Sequence, residues 1–128
     1  MSLIDMKLDV IFDQDLDIGK ISELIGRAPT FTFIKGKTYH FKKEKIFDFS
    51  LCSFNFEGKS DSFSEFIVEK FSPIYKNLQN LAEFVQANAG EIELTVYFNK
   101  KSRSFDFSIY GEAKEILIKM NADVYFSY

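Results

Sequence analysis

The sequence predicts an α+β domain: a largely antiparallel sheet covered on one face by a long kinked helix and two short helices. Three observations carry this. Segments with apolar residues at every second position come in runs, and segments with a 3.6-residue apolar period stand between the runs, in the order β-α-β-β-α-β-β-α-β. The late strands alternate apolar with polar residues, so one face of that part of the sheet meets water, as antiparallel sheets allow. The chain has 128 residues, a single-domain length that buries roughly two-thirds of its unfolded surface. One α+β domain over residues 1–128 is expected.

Each element has its own signal. Leu8 to Phe12 alternates as a strand, with Leu8, Val10 and Phe12 on one face. Ile18, Ile21, Leu24 and Ile25 share one helix face, with Asp17 or Asp15 as N-cap and Gly26 as a left-handed C-cap. Pro29 forbids continuation. Phe31 to Ile34 reads as extended chain, Lys35-Gly36-Lys37 as a turn, and Thr38 to Lys45 as an exposed basic extended segment. Ile46 to Phe56 is a strand, closed by the turn Glu57 to Ser60.

The longest helical signal follows. Ser62 and Glu65 form a capping box, and Phe63, Phe66, Ile67, Phe71, Ile74, Leu78, Leu81 and Val85 track the helical period. Pro73 lies inside this run, so a kink or two abutting helices is expected. Glu91–Phe98 and Phe105–Ile109 alternate cleanly and predict an antiparallel hairpin across the polar connection 99–103. A short helix over Glu112–Met120 and a last strand over Val124–Tyr128 complete the order.

Composition narrows the function classes. There are 16 Phe, 6 Tyr and no Trp, so Phe is the main core-filling residue. The single cysteine, Cys52, excludes an intramolecular disulfide and reads as a small buried hydrophobe. No basic and apolar leader opens the chain, and no stretch of about 18 apolar residues occurs, so a cytoplasmic protein with no membrane segment is expected. The net charge of −3 does not favour a nucleic-acid partner. Charge is unevenly spread, however. The first 19 residues are acidic, and Lys35, Lys37, Lys42, Lys43 and Lys45 cluster soon after.

The run DQDLDIGKISEL, Asp13 to Leu24, resembles a calcium loop in its alternating Asp13, Asp15 and Asp17. An EF-hand needs glycine at position 6 and a bidentate glutamate at position 12. Here those positions are Ile18 and Leu24, with Gly19 one late and Glu23 one early. A strand also precedes the loop where an EF-hand has a helix. The carboxylates are therefore expected to cap the helix and favour its dipole, with no specific metal site.

The same residues carry a family resemblance. DLDIGKISELIG, then RAPT, then KGK, followed by a long amphipathic helix, a paired-strand signal, a short helix and the closing Asp123-Val124-Tyr125, resembles the bacterial domain-of-unknown-function family 4279 over nearly the whole chain. Members often carry a Trp near the strand after the Lys-Gly turn, where this chain has Phe49 or Leu51. The resemblance implies the fold and the order of elements. It implies no activity and no catalytic residues.

Other chemistry is sparse. His40 is the only histidine, and no Gly-x-Ser-x-Gly elbow accompanies it. One His and one Cys exclude a His- or Cys-rich zinc site. Gly36-Lys37-Thr38 mimics the end of a phosphate loop, but Phe31 stands where its first glycine belongs. No catalytic residue, cofactor or metal ligand is assigned. Two functions are carried forward. The first is a non-catalytic protein-interaction module, an immunity-type protein being one version, that binds an acidic protein through Lys35, Lys37, His40, Lys42, Lys43 and Lys45. Phe63, Phe66 and Phe71 read as core ahead of a pocket lining, and the second function is a small ligand-binding domain or unrecognised enzyme with a Phe-lined pocket and carboxylates from the turn Asp13, Asp15 and Asp17.

Overall fold

The computed structural model describes residues 2–13, 17–40, 44–46, 48–98 and 105–127. The element order is β1 (Ser2–Phe12), α1 (Ile18–Ile25), β2 (Phe31–Phe33), β3 (Thr38–His40), β4 (Glu44–Ile46), β5 (Ser50–Ser60), α2 (Phe63–Phe71), a 3₁₀ segment (Ser72–Asn77), α3 (Leu78–Ala87), β6 (Glu91–Phe98), α4 (Gly111–Met120) and β7 (Ala122–Ser127). Five strands form one sheet in the order β2-β5-β1-β6-β7, and β3 and β4 form a separate two-stranded ribbon. Every pairing in the main sheet is antiparallel except β6 with β7. The α+β class and the largely antiparallel sheet agree with the sequence.

The helices cover one face, and the strand period decides which residues they meet. Ile4, Met6, Leu8, Val10 and Phe12 of β1 are buried. Met6, Leu8 and Val10 stand in register with Phe56 and Val96, with Phe54 and Leu94, and with Cys52 and Ile92 of the flanking strands. Ile21 and Ile25 of α1, Phe63, Phe66, Ile67 and Phe71 of α2, Leu78, Leu81 and Val85 of α3, and Ile116 and Met120 of α4 close the core against them. The three phenylalanines Phe63, Phe66 and Phe71 are fully enclosed. Their rings belong to the core between sheet and helices.

Local chemistry sets the boundaries. The Asp17 side chain accepts from the Lys20 amide, and Gly26 takes φ 84° to end α1. Ser62 Oγ accepts from the Glu65 amide at 3.3 Å to start α2. Pro73 falls at the start of the 3₁₀ segment, where Ile74 leaves helical geometry, so the long helical run bends there.

The hairpin expected between Glu91–Phe98 and Phe105–Ile109 does not form. Both edges of β6 are occupied, one by β1 and the other by β7. The α4 crossover brings Val124, Tyr125 and Phe126 beside β6 in parallel, and their β-forming side chains take the edge. Residues 105–110 run instead along the start of α2. The Asp106 amide donates to the Asp61 carbonyl at 2.7 Å, the Phe63 amide to the Asp106 carbonyl at 2.9 Å, and Ser64 Oγ to the Ser108 carbonyl at 2.6 Å. Only Phe105 of the three alternating apolar residues is buried, while Phe107 and Ile109 are exposed. The segment is extended but joins no ladder of the main sheet, and Phe107 meets the rings of Phe98, Phe105 and Phe126 while staying partly open to solvent.

Candidate functional site

The candidate site is the face of the sheet that no described helix covers. The period of two sends Asp5, Lys7, Asp9 and Ile11 of β1 to this side, opposite the buried residues of the same strand. Registers then extend the face in rows. Phe31, Ser53, Asp9, Glu93 and Asp123 form one row across all five strands. Asn55, Lys7, Thr95 and Tyr125 form the next, and Glu57, Asp5, Tyr97 and Ser127 the one after. On the other side of the first row stand Phe33, Leu51, Ile11 and Glu91.

This face is acidic over one area and apolar over another. Asp5, Asp9, Glu57, Glu91, Glu93 and Asp123 oppose only Lys7 and Lys59 among its described residues. Asp9 lies directly opposite Glu93, and Glu93 directly opposite Asp123. Like charges facing one another across strands are destabilising, so the row opposes folding. Glu93 carries the consequence: burial first, then Glu91, Asp9 and Asp123, hold its carboxyl above the ordinary glutamate range. Tyr125 beside them is pushed up by the charges of Glu93 and Asp123.

Asp9 Oδ1 and Ser53 Oγ are buried with no hydrogen-bond partner among the described residues, and the two residues oppose one another across β1 and β5. Lys7 does not neutralise the row through a short ion pair. Its Nζ lies 5.6 Å from the Phe31 ring centre and 5.9 Å from that of Tyr97, over aromatic faces. Among the described residues, no three His, Cys, Asp or Glu side chains converge as a metal site. The carboxylates are spread as a surface and do not form a chelating cluster.

The acidic turn is held by other contacts. Asp17 caps α1, and Asp13 Oδ1 pairs with Lys35 Nζ at 3.0 Å. Asp15 lies outside the described residues. The proposed basic segment is only partly described. Lys35 is engaged with Asp13, and Lys37 is exposed beside Gly36, which turns at φ 82°. His40 and Lys45 belong to the β3–β4 ribbon by backbone pairing, and Lys42 and Lys43 lie outside the described residues. Cys52 is fully buried, and burial followed by the Asp9 charge pushes its thiol up to about 12.

The acidic row was not legible as a site. Each carboxylate reads singly as the wet position of an alternating strand, and only the strand order β1-β6-β7 brings Asp9, Glu93 and Asp123 together. The comparisons add no assignment. No family model, curated protein or solved structure matches this chain. No helix among the described residues is long and apolar enough to cross a membrane.

Proposed function

We propose that this chain is a non-catalytic interaction module whose open sheet face binds a basic protein surface. The observation that carries the reading is the row Asp9, Glu93 and Asp123, three carboxylates opposed strand to strand. Such a row opposes folding in the free protein, and an incoming Lys or Arg converts the repulsion into attraction. A charged donor would also satisfy Asp9 Oδ1, which is buried and has no partner among the described residues. Phe31, Phe33, Leu51 and Ile11 at the other end of the face supply the apolar area that a specific interface needs at its centre. An immunity-type protein masking a basic toxin is one concrete version. The proposal includes membership of domain-of-unknown-function family 4279, for which the support is the sequence DLDIGKISELIG and which carries no activity to this chain.

A second reading keeps the basic segment as the docking site for an acidic partner. Its support is the exposed Lys37 and the separation of the β3–β4 ribbon from the main sheet. Affinity capture with wild type, with Asp9→Asn/Glu93→Gln/Asp123→Asn, and with Lys35→Glu/Lys37→Glu separates the two. The open-face reading expects a basic protein that the first variant loses and the second retains, with association weakened by salt. The reverse pattern, with an acidic protein recovered, would contradict it.

A further inference from the structure

We infer that two copies of this chain pair through β7, antiparallel about a two-fold axis at Val124, joining their sheets edge to edge. The inference rests on the edges of the sheet and is independent of the open-face reading. The two edges are treated differently. At the β2 edge the backbone of β5 is occupied by side chains. Thr30 Oγ1 accepts from the Asn55 amide at 3.2 Å, and Arg27 Nη1 donates to the Asn55 carbonyl at 2.7 Å. The edge strand β2 itself spans only three residues. Short strands and occupied backbone groups are how natural sheets discourage edge pairing.

β7 has neither protection. It spans six residues, pairs with β6 on one side, and has no described strand on the other. Among the described residues, no side-chain hydrogen bond to its backbone is found. From Val124 to Ser127 it carries no Lys, no Pro and no charge, and its one charged residue is Asp123. The surface beside it is apolar. Ile118 is 67% exposed, Ile109 43% and Phe126 40%. Ile109, Leu117, Ile118, Ala122 and Val124, with Lys114 and Asn121 among them, line a mostly apolar groove of about 390 Å³ beside α4 and the strand. An apolar surface along an edge that pairs with no strand among the described residues marks an interaction site.

A second copy fits that edge. An axis through one residue keeps side chains of both copies on matching faces, because the strand period is two. An axis at Val124 sets Asp123 opposite the partner's Tyr125, and so keeps the two Asp123 carboxylates from facing each other. It also sets Ala122, the smallest side chain in the strand, opposite the partner's Phe126. The exposed flank of that ring then meets the groove formed by Ile118 and Ala122.

Sedimentation equilibrium over a wide concentration range tests this, with wild type, Ile118→Lys and Tyr125→Lys. Both substituted residues are exposed in the single chain, so circular dichroism and thermal unfolding of each variant should match a folded monomer. The expected result is a wild-type dimer whose dissociation constant rises at least tenfold in each variant. Oxidation of Val124→Cys should give a disulfide-linked dimer, because antiparallel partners lie about 4.5–5.5 Å apart at Cα and Cys52 is buried. A monomeric wild type, a dimer indifferent to both lysine substitutions, or a dimer that Val124→Cys does not cross-link would overturn the inference.

Discussion

Replacing Glu93 with Gln should stabilise the protein at neutral pH and above, and should do little in acid. Glu93 is flanked by Asp9 on one strand and Asp123 on the other, each directly opposite. A directly opposed like-charge pair costs roughly 0.2–1 kcal/mol. Two such pairs give about 1 kcal/mol, which for a domain of this size raises Tm by about 4 °C. The sign with pH follows from the raised carboxyl. Below the unfolded glutamate value, about 4.3, both states hold the proton and the charge costs nothing. As pH rises, the unfolded chain releases its proton first, while burial, Glu91, Asp9 and Asp123 make folded Glu93 keep its own. The wild type therefore loses stability as pH rises through that interval and stays lower above it. Urea unfolding of wild type and Glu93→Gln at about pH 7 and about pH 4 measures both effects. A variant no more stable than wild type at neutral pH, or a gap that persists undiminished in acid, would refute the reasoning.

Two further predictions test the packing beneath this face. A Cβ at Gly90 would lie 2.9 Å from the Ile11 carbonyl oxygen and 2.9 Å from Val85 Cγ1, so Gly90→Ala should destabilise the fold by about 1–3 kcal/mol, read as a lower urea midpoint with an unchanged slope. Cys52 is fully buried with its thiol pushed up to about 12, so a thiol reagent at neutral pH should label it only at the rate of unfolding, and rapid labelling of the native protein would contradict the burial.

The parts of the fold that depend on neighbours in sequence were legible. Asp17 and Gly26 bound α1, Ser62 starts α2, and Pro73 bends the long helical run, because capping and ring geometry act within one turn. The segment 105–109 was not, since alternation reports extended chain and does not name what that chain pairs with. In this fold the helix start at Ser62 and Ser64 receives it, while β7 holds the β6 edge. The site was illegible for the same reason. Asp9, Glu93 and Asp123 are distant in the chain and each is ordinary alone. Their meeting depends on a sheet order that pairs the first strand with the sixth and the sixth with the seventh. The basic segment, by contrast, stood out because its lysines are close in sequence, yet Lys35 turns back to Asp13.

Carboxyl footprinting tests the open-face reading most directly. The captured basic partner is added to the protein, exposed Asp and Glu side chains are labelled with a carbodiimide and an amine, and the labels are located by mass spectrometry. Binding at the open face predicts that Glu91, Glu93 and Asp123 lose label in the complex, while Glu69 and Glu83 on the helices keep theirs. Equal labelling of the three in free and bound protein, with protection on the helices instead, would contradict the account.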